Sequence, residues 1–340
     1  MEDSGTMMRP IEAVKPALSG AVGAALALTL MTGAPAQAEV RATMVIDGKQ
    51  VPYFSNHPLA VRNNGISRAV IVIHGSGRKV EDYFASIVEN IPTSSDPGRD
   101  WRRKTIVVAP YFQEKGDARN RKTEAWWKGD WVTGGNSGGV SSYAVIDTLV
   151  ARLRSGTFPN LRWVVITGHS AGGQFVQRYA AFTDIDQKSE PNAALVKFVP
   201  SNPSSYLYLN EYRFNSALKD WTIPHGKKSK GYDEFKYGLE DLDDYAGERG
   251  ADWARTHLPQ RRIELLAGTA DVVADPSFDD SKEAMWQGHS RYERARLFDA
   301  FMDQFFSPNQ FRVTPVPGVG HDHRLIYASA QAKNALYFSD

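Results

Sequence analysis

The apolar positions of this chain fall into short runs separated by longer amphipathic stretches. Val40 to Tyr53 alternates about Asp47-Gly48, the signal of a hairpin with a two-residue turn. Ala69–Ile73, Thr105–Ala109, Trp163–Thr167, Ile263–Ala267 and Phe311–Val316 are mostly apolar, and several are rich in β-branched side chains. Runs of that length and kind match strands buried on both faces. Between them, Val80–Ile91, Ser141–Leu153, Gln174–Phe182, Tyr292–Phe306 and Tyr327–Leu336 repeat apolar residues at helical spacing. Strands alternating with helices predict an α/β fold: a doubly wound, mostly parallel β-sheet with helices on both faces. One stretch, about 201–262, breaks this rhythm. It is rich in Tyr, Asp, Lys and Gly, and it predicts a lid-like or loop-rich insertion before the strand at Ile263.

The first 38 residues change the picture in a different way. Arg9 and Lys15 supply positive charge, Ala17 to Met31 is small and apolar, and Ala36-Gln37-Ala38 is an A-x-A cleavage signal before Glu39. We read residues 1–38 as a signal peptide, and 39–340 as the folded domain. The apolar run is short for a membrane span and no stop-transfer pattern follows, so no stable span is expected after signal removal. The alternative is an uncleaved anchor. An exported location, periplasmic or secreted, follows from the cleaved reading.

Composition narrows the classes further. The 340 residues are 42% hydrophobic and 23% charged, as in a globular protein, and the formal net charge is +1. That balance gives no field for nucleic acid or an anionic membrane. There is no cysteine, which excludes disulfides, thiolate metal sites and a cysteine nucleophile.

The chemistry concentrates where one strand turns into a helix. Gly168-His169-Ser170-Ala171-Gly172 follows the run Trp163–Thr167 and opens the helix from Gln174. A serine at the apex of a strand–turn–helix is a nucleophile elbow. Glycine at 168 and 172 spares the crowding that a Cβ would cause beside the strained serine. His74-Gly75-Ser76-Gly77, Gly268-Thr269-Ala270-Asp271 and Gly320-His321-Asp322 each also lie just past a predicted strand.

These four motifs, in the order nucleophile, acid, histidine, resemble the α/β-hydrolase superfamily over nearly all of Arg41 to Asp340. The resemblance implies an esterase- or lipase-like hydrolase with Ser170, Asp271 and His321 as its triad. A serine hydroxyl needs an adjacent base, His321, and a carboxylate, Asp271, to hold the imidazole tautomer. The backbone N–H groups of Ser76 and Ala171 are the expected oxyanion donors. His74 is expected to prop that loop. His323 competes with His321 and Asp275 with Asp271; the direct Gly-His and Gly-Thr-Ala-Asp endings favour His321 and Asp271. His321-Asp322-His323 also has the H-x-H spacing of a metal site, but further ligands are not evident, and neither metal nor cofactor is expected.

Substrate contacts are less specific. Trp126, Trp127 and Trp131 either line an acyl or aromatic pocket or pack their loop onto the domain. His169, inside the elbow, is a further candidate for substrate contact. The expected partner is a small-molecule or polymeric ester; oligomeric state is left open. The same triad serves a serine peptidase or amidase, and a non-catalytic binding module on the same fold is the reading from another class.

Overall fold

The computed structural model describes residues 40–187 and 193–338. The signal peptide expected over residues 1–38 lies outside the described residues. Its order is β1 (Val40–Ile46), β2 (Lys49–Ser55), β3 (Arg68–Ile73), α1 (Val80–Glu89), β4 (Thr105–Pro110), α2 (Ser142–Arg154), β5 (Trp163–His169), α3 (Ala171–Phe182) and β6 (Leu195–Ser201). There follow β7 (Arg213–Asn215), β8 (Asp220–Thr222), α4 (Asp244–Arg249), α5 (Ala251–His257), β9 (Ile263–Gly268), α6 (Arg291–Phe305), β10 (Phe311–Val316), α7 (His323–Ala328) and α8 (Ala330–Lys333).

Eight strands form one sheet in the order β1-β2-β4-β3-β5-β6-β9-β10. The hairpin β1–β2 is antiparallel, β2 pairs antiparallel with β4, and every later pairing is parallel. Asp47 and Gly48 both take positive φ, 48° and 77°, as a twisted two-residue hairpin turn demands. The inner strands are buried along their whole length, and their side chains alternate between two separate apolar clusters. In β3, Ala69, Ile71 and Ile73 join the cluster under α2, α3 and α6. Val70 and Val72 join the cluster under α1, α7 and α8. The sheet is thus covered on both faces, which is why its central strands read as continuous apolar runs.

The chain goes from β3 outward to β4, then returns past β3 to add β5 on its other side. The carboxyl ends of β3 and β5 therefore flank a topological switch point, where the connections diverge and leave a crevice. Both motifs nearest the expected chemistry lie there.

Three local features depart from the sequence pattern. The strand β6 is hidden by Lys197 and Pro200 within Leu-Val-Lys-Phe-Val-Pro-Ser. Lys197 is buried, and its Nζ donates to Glu264 Oε2 of β9 at 2.8 Å and to the Ala335 carbonyl at 2.9 Å. Burial opposes ionisation of Glu264, yet hydrogen bonds from Lys197, Arg312 and Thr314 together hold its carboxyl below the usual range. Residues 201–262 spend much of their aromatic content on packing: Tyr206 and Tyr208 are buried against Phe298 of α6, and Tyr245 against Tyr143. The helix expected over Tyr327–Leu336 breaks at Ser329, whose extended backbone and Oγ cap the N–H of Ala332 to start α8. No helix among the described residues is long and apolar enough to cross a membrane.

Candidate active site

Ser170 stands between β5 and α3 with φ 61° and ψ −122°, a conformation costly for any residue with a Cβ. Its neighbours leave the backbone little choice. A Cβ on Gly168 would run into the Gly172 backbone, and one on Gly172 into the carbonyls of Ile73 and His74. A Cβ on Gly173 would meet the Ser201 carbonyl. The glycines thus let α3 sit directly against β3, β5 and β6. The Ser170 N–H donates to Ser201 O at 3.0 Å, and Ser170 O receives the Gln174 N–H at 3.0 Å, so the turn is fixed on both sides.

His321 lies in the connection from β10 to α7. Its Nε2 is 3.0 Å from Ser170 Oγ and its Nδ1 is 2.8 Å from Asp271 Oδ2. An ionised carboxylate can only accept, so Nδ1 carries the proton and the Nε2 lone pair faces the serine hydroxyl. Asp271, buried just past β9, receives two further donors: Asn202 Nδ2 at 2.7 Å on Oδ2, and Arg291 Nη1 at 3.3 Å on Oδ1.

The competing residues are engaged elsewhere. Asp275 forms a two-pronged pair with Arg291, at 2.8 and 3.1 Å, and hydrogen bonds from Arg291 hold its carboxyl far below the usual carboxylate range. His323 is the first residue of α7; its ring stacks on Tyr83 at 4.1 Å and its Nδ1 meets Ser86 Oγ at 3.0 Å. Burial is the main cause of its lowered pKa. The H-x-H pair thus turns to two different sets of partners. Asp271, Asp275 and His321 do bring ligand atoms within 4.8 Å of one another. The Arg291 guanidinium, in hydrogen-bond contact with both carboxylates, already supplies the cation those charges call for.

The loop after β3 faces the elbow from across the switch point. His74 is buried, accepts the Phe112 N–H at Nε2 (3.1 Å) and lies 3.0 Å from the Gly75 carbonyl at Nδ1. Since a backbone N–H only donates, Nδ1 holds the proton and donates to Gly75. Burial lowers its pKa to about 4, with the Gly75 bond partly offsetting it, so the ring is neutral at neutral pH. Arg78, at φ 53°, ties the loop down: Nε to Asp117 at 2.9 Å, Nη1 to Glu114 at 2.9 Å and Nη1 to the Ser76 carbonyl at 3.4 Å. Ala171 is the first residue of α3, so its N–H has no acceptor within the helix.

The expected substrate contacts prove to be mostly interior. Trp127 is fully buried, its Nε1–H shared between the carbonyls of Gly135 and Val140 at 3.0 and 3.1 Å. Trp131 is buried against His74 and Phe112, with ring centroids 4.7 and 5.6 Å away. These two pack their loop onto the domain, Trp131 against His74 itself; Trp126 alone of the three keeps exposed surface, with Lys115 Nζ over its ring. His169 is buried too, its ring 4.5 Å from that of His321. Burial and the neighbouring His321 and His323 push its pKa well down, making it a neutral wall beside His321 rather than an exposed contact.

Asn202, Arg291 and the Arg78 clamp were not legible in the sequence. Asn202 follows a strand whose lysine disguises it, and a single arginine at a helix start carries no pattern. The one available signal was the Asn202-Pro203 pair ending an apolar stretch.

Among solved structures the chain is similar to the poly(3-hydroxybutyrate) depolymerase LpqC from Bordetella parapertussis, at 22% identity and TM-score 0.59, over 87% of this chain and 89% of that one. The chain has the α/β-hydrolase fold. It is also similar to poly(aspartic acid) hydrolase-1 from Sphingomonas sp. KT-1, at 20% identity and TM-score 0.57, over 86% and 97% of the two chains. No family model matches the sequence, and no curated protein matches it.

Proposed function

We propose that this protein is an exported serine hydrolase that cleaves carboxylic esters through an acyl-enzyme. The observation that carries the reading is the hydrogen-bonded line Ser170 Oγ, His321, Asp271 at 3.0 and 2.8 Å. Ser170 Oγ attacks the ester carbonyl while its proton passes to His321 Nε2, and Asp271 stabilises the imidazolium. The carbonyl oxygen becomes an oxyanion that the N–H groups of Ala171 and Ser76 receive, donors worth about 3 kcal/mol each where one has been removed from such a site. Collapse expels the alcohol, which takes the proton from His321. Water then attacks the acyl carbon with His321 again as base, releasing the acid and restoring Ser170.

The two similar structures are described as acting on a polyester and on poly(aspartic acid). The second keeps an amidase or peptidase as the alternative reading here. A panel of p-nitrophenyl esters against peptide anilides separates the two, and fluorophosphonate labelling of wild type but not Ser170→Ala separates enzyme from binding module. Ester hydrolysis unchanged in purified Ser170→Ala would overturn the assignment. Export rests on Ala36-Gln37-Ala38; protein from a secreting host should begin at or near Glu39.

A further inference from the structure

Asn202 has a surplus of connections for a residue in a turn. It follows β6 at φ 42°, a left-handed conformation that asparagine and glycine tolerate best. Its backbone N–H donates to Leu266 O of β9 at 3.1 Å. Its buried side chain reaches three more places. Oδ1 accepts the Gly268 N–H at 3.0 Å; Nδ2 donates to Asp271 Oδ2 at 2.7 Å and to Gly320 O at 3.2 Å. The orientation of the amide is forced, because the Gly268 N–H can only donate and must face the amide oxygen. The NH2 group is then left for the carboxylate and the Gly320 carbonyl, which are both acceptors.

One amide therefore joins the end of β9, the carboxylate that faces the histidine, and the residue immediately before that histidine. We propose that Asn202 is a positioning residue that sets the register of the Asp271 loop against the His321 loop. The inference rests on the serine hydrolase reading. On Asp271, Asn202 shares Oδ2 with His321 Nδ1, so the carboxylate is held at the oxygen the imidazole uses; Arg291 holds the other oxygen. On Gly320, Asn202 anchors the backbone from which the imidazole projects. With both fixed, Nε2 is aimed at Ser170 without a search among rotamers, and small misplacements of such groups are costly to rate.

A role confined to filling a turn predicts lost stability only. A positioning role predicts loss in turnover that depends on Asp271. Asn202→Gly is the suitable variant, since glycine accepts the positive φ while removing the amide. Asn202→Asp keeps the volume and the Gly268 acceptor but sets a second carboxyl group against Asp271 Oδ2, so it disturbs the same oxygen through charge. Each is expected to lower kcat on a good ester by about 10- to 100-fold with KM within about twofold. In an Asp271→Asn background the effect of Asn202→Gly should shrink at least about fivefold, because residues acting as a unit are not additive. The wild-type His321 Nδ1–H should give a downfield proton resonance, and Asn202→Gly should broaden or abolish it while thermal unfolding stays cooperative. Full kcat together with an intact resonance in Asn202→Gly overturns the proposal. So does a loss of equal size in both backgrounds, or one confined to KM or melting temperature. If wild type shows the resonance but neither hydrolyses esters nor takes the fluorophosphonate, the hydrolase reading has failed instead, and the resonance alone decides the role of Asn202.

Discussion

His74 makes the stability of this protein depend on pH in a calculable way. Its ring is buried with one nitrogen accepting the Phe112 N–H and the other donating to Gly75, so it is satisfied only when neutral. Protonation would set an N–H against the Phe112 donor and a charge where water does not reach. The folded pKa of about 4 lies below the ordinary value of about 6.5. The unfolded chain therefore takes up the proton first. The contribution is whole above pH 6.5 and is lost as pH falls from there toward 4. The full gap corresponds to about 3 kcal/mol, and about 2 kcal/mol of it is lost by pH 5. Urea unfolding of wild type and His74→Gln at pH 7.5 and pH 5 isolates this term, since glutamine offers an amide oxygen to Phe112 and does not titrate. Whatever the variant loses at pH 7.5, it should recover about 2 kcal/mol relative to wild type at pH 5. A stability difference that is the same at both pH values would refute the reasoning.

Other outcomes follow from the same geometry. Steady-state ester hydrolysis should fall by several orders of magnitude in His321→Ala and by about 10⁴ in Asp271→Asn, while His323→Ala and Asp275→Asn stay within about tenfold of wild type. The reverse ranking in either pair would move the base or the acid. Gly172→Ala should cost about 3 kcal/mol in denaturant, because the added methyl meets the carbonyls of Ile73, at the end of β3, and His74, which have no rotamer to yield. Lys197→Met should cost about 2–3 kcal/mol, because Glu264 loses a buried cation and keeps Arg312, whose side chain is largely exposed, and Thr314. Lys197→Met/Glu264→Leu should recover part of that loss, and a double variant weaker than the single one would count against the pairing.

What the sequence made legible was whatever repeats or stands beside glycine. β3, β4, β5 and β9 are buried on both faces, so they advertise themselves as apolar runs. The elbow shows because close backbone packing admits only glycine at 168 and 172. Residues whose role depends on a distant partner left no such mark. Lys197 looks like an interruption until Glu264, 67 residues later, is placed beside it. Asn202 and Arg291 meet Asp271 across loops that no periodicity links. The tryptophans left a choice that composition could not make, between lining a pocket and packing their loop; Trp127 and Trp131 are placed in the interior. The stretch 201–262 lacked a repeating pattern because its aromatics pack singly into gaps beside α3 and α6.

The order of the strands also bears on how the protein comes into being. Ser170 and His321 are 151 residues apart, and the histidine follows the last strand of the sheet. A chain emerging from the ribosome carries its serine long before the imidazole that faces it exists. Nor can an incomplete chain bring the two together, because β6 and β9 must first dock between them. The serine, the imidazole and the carboxylate are therefore brought together only by completion of the sheet, and a partly made chain holds none of their contacts.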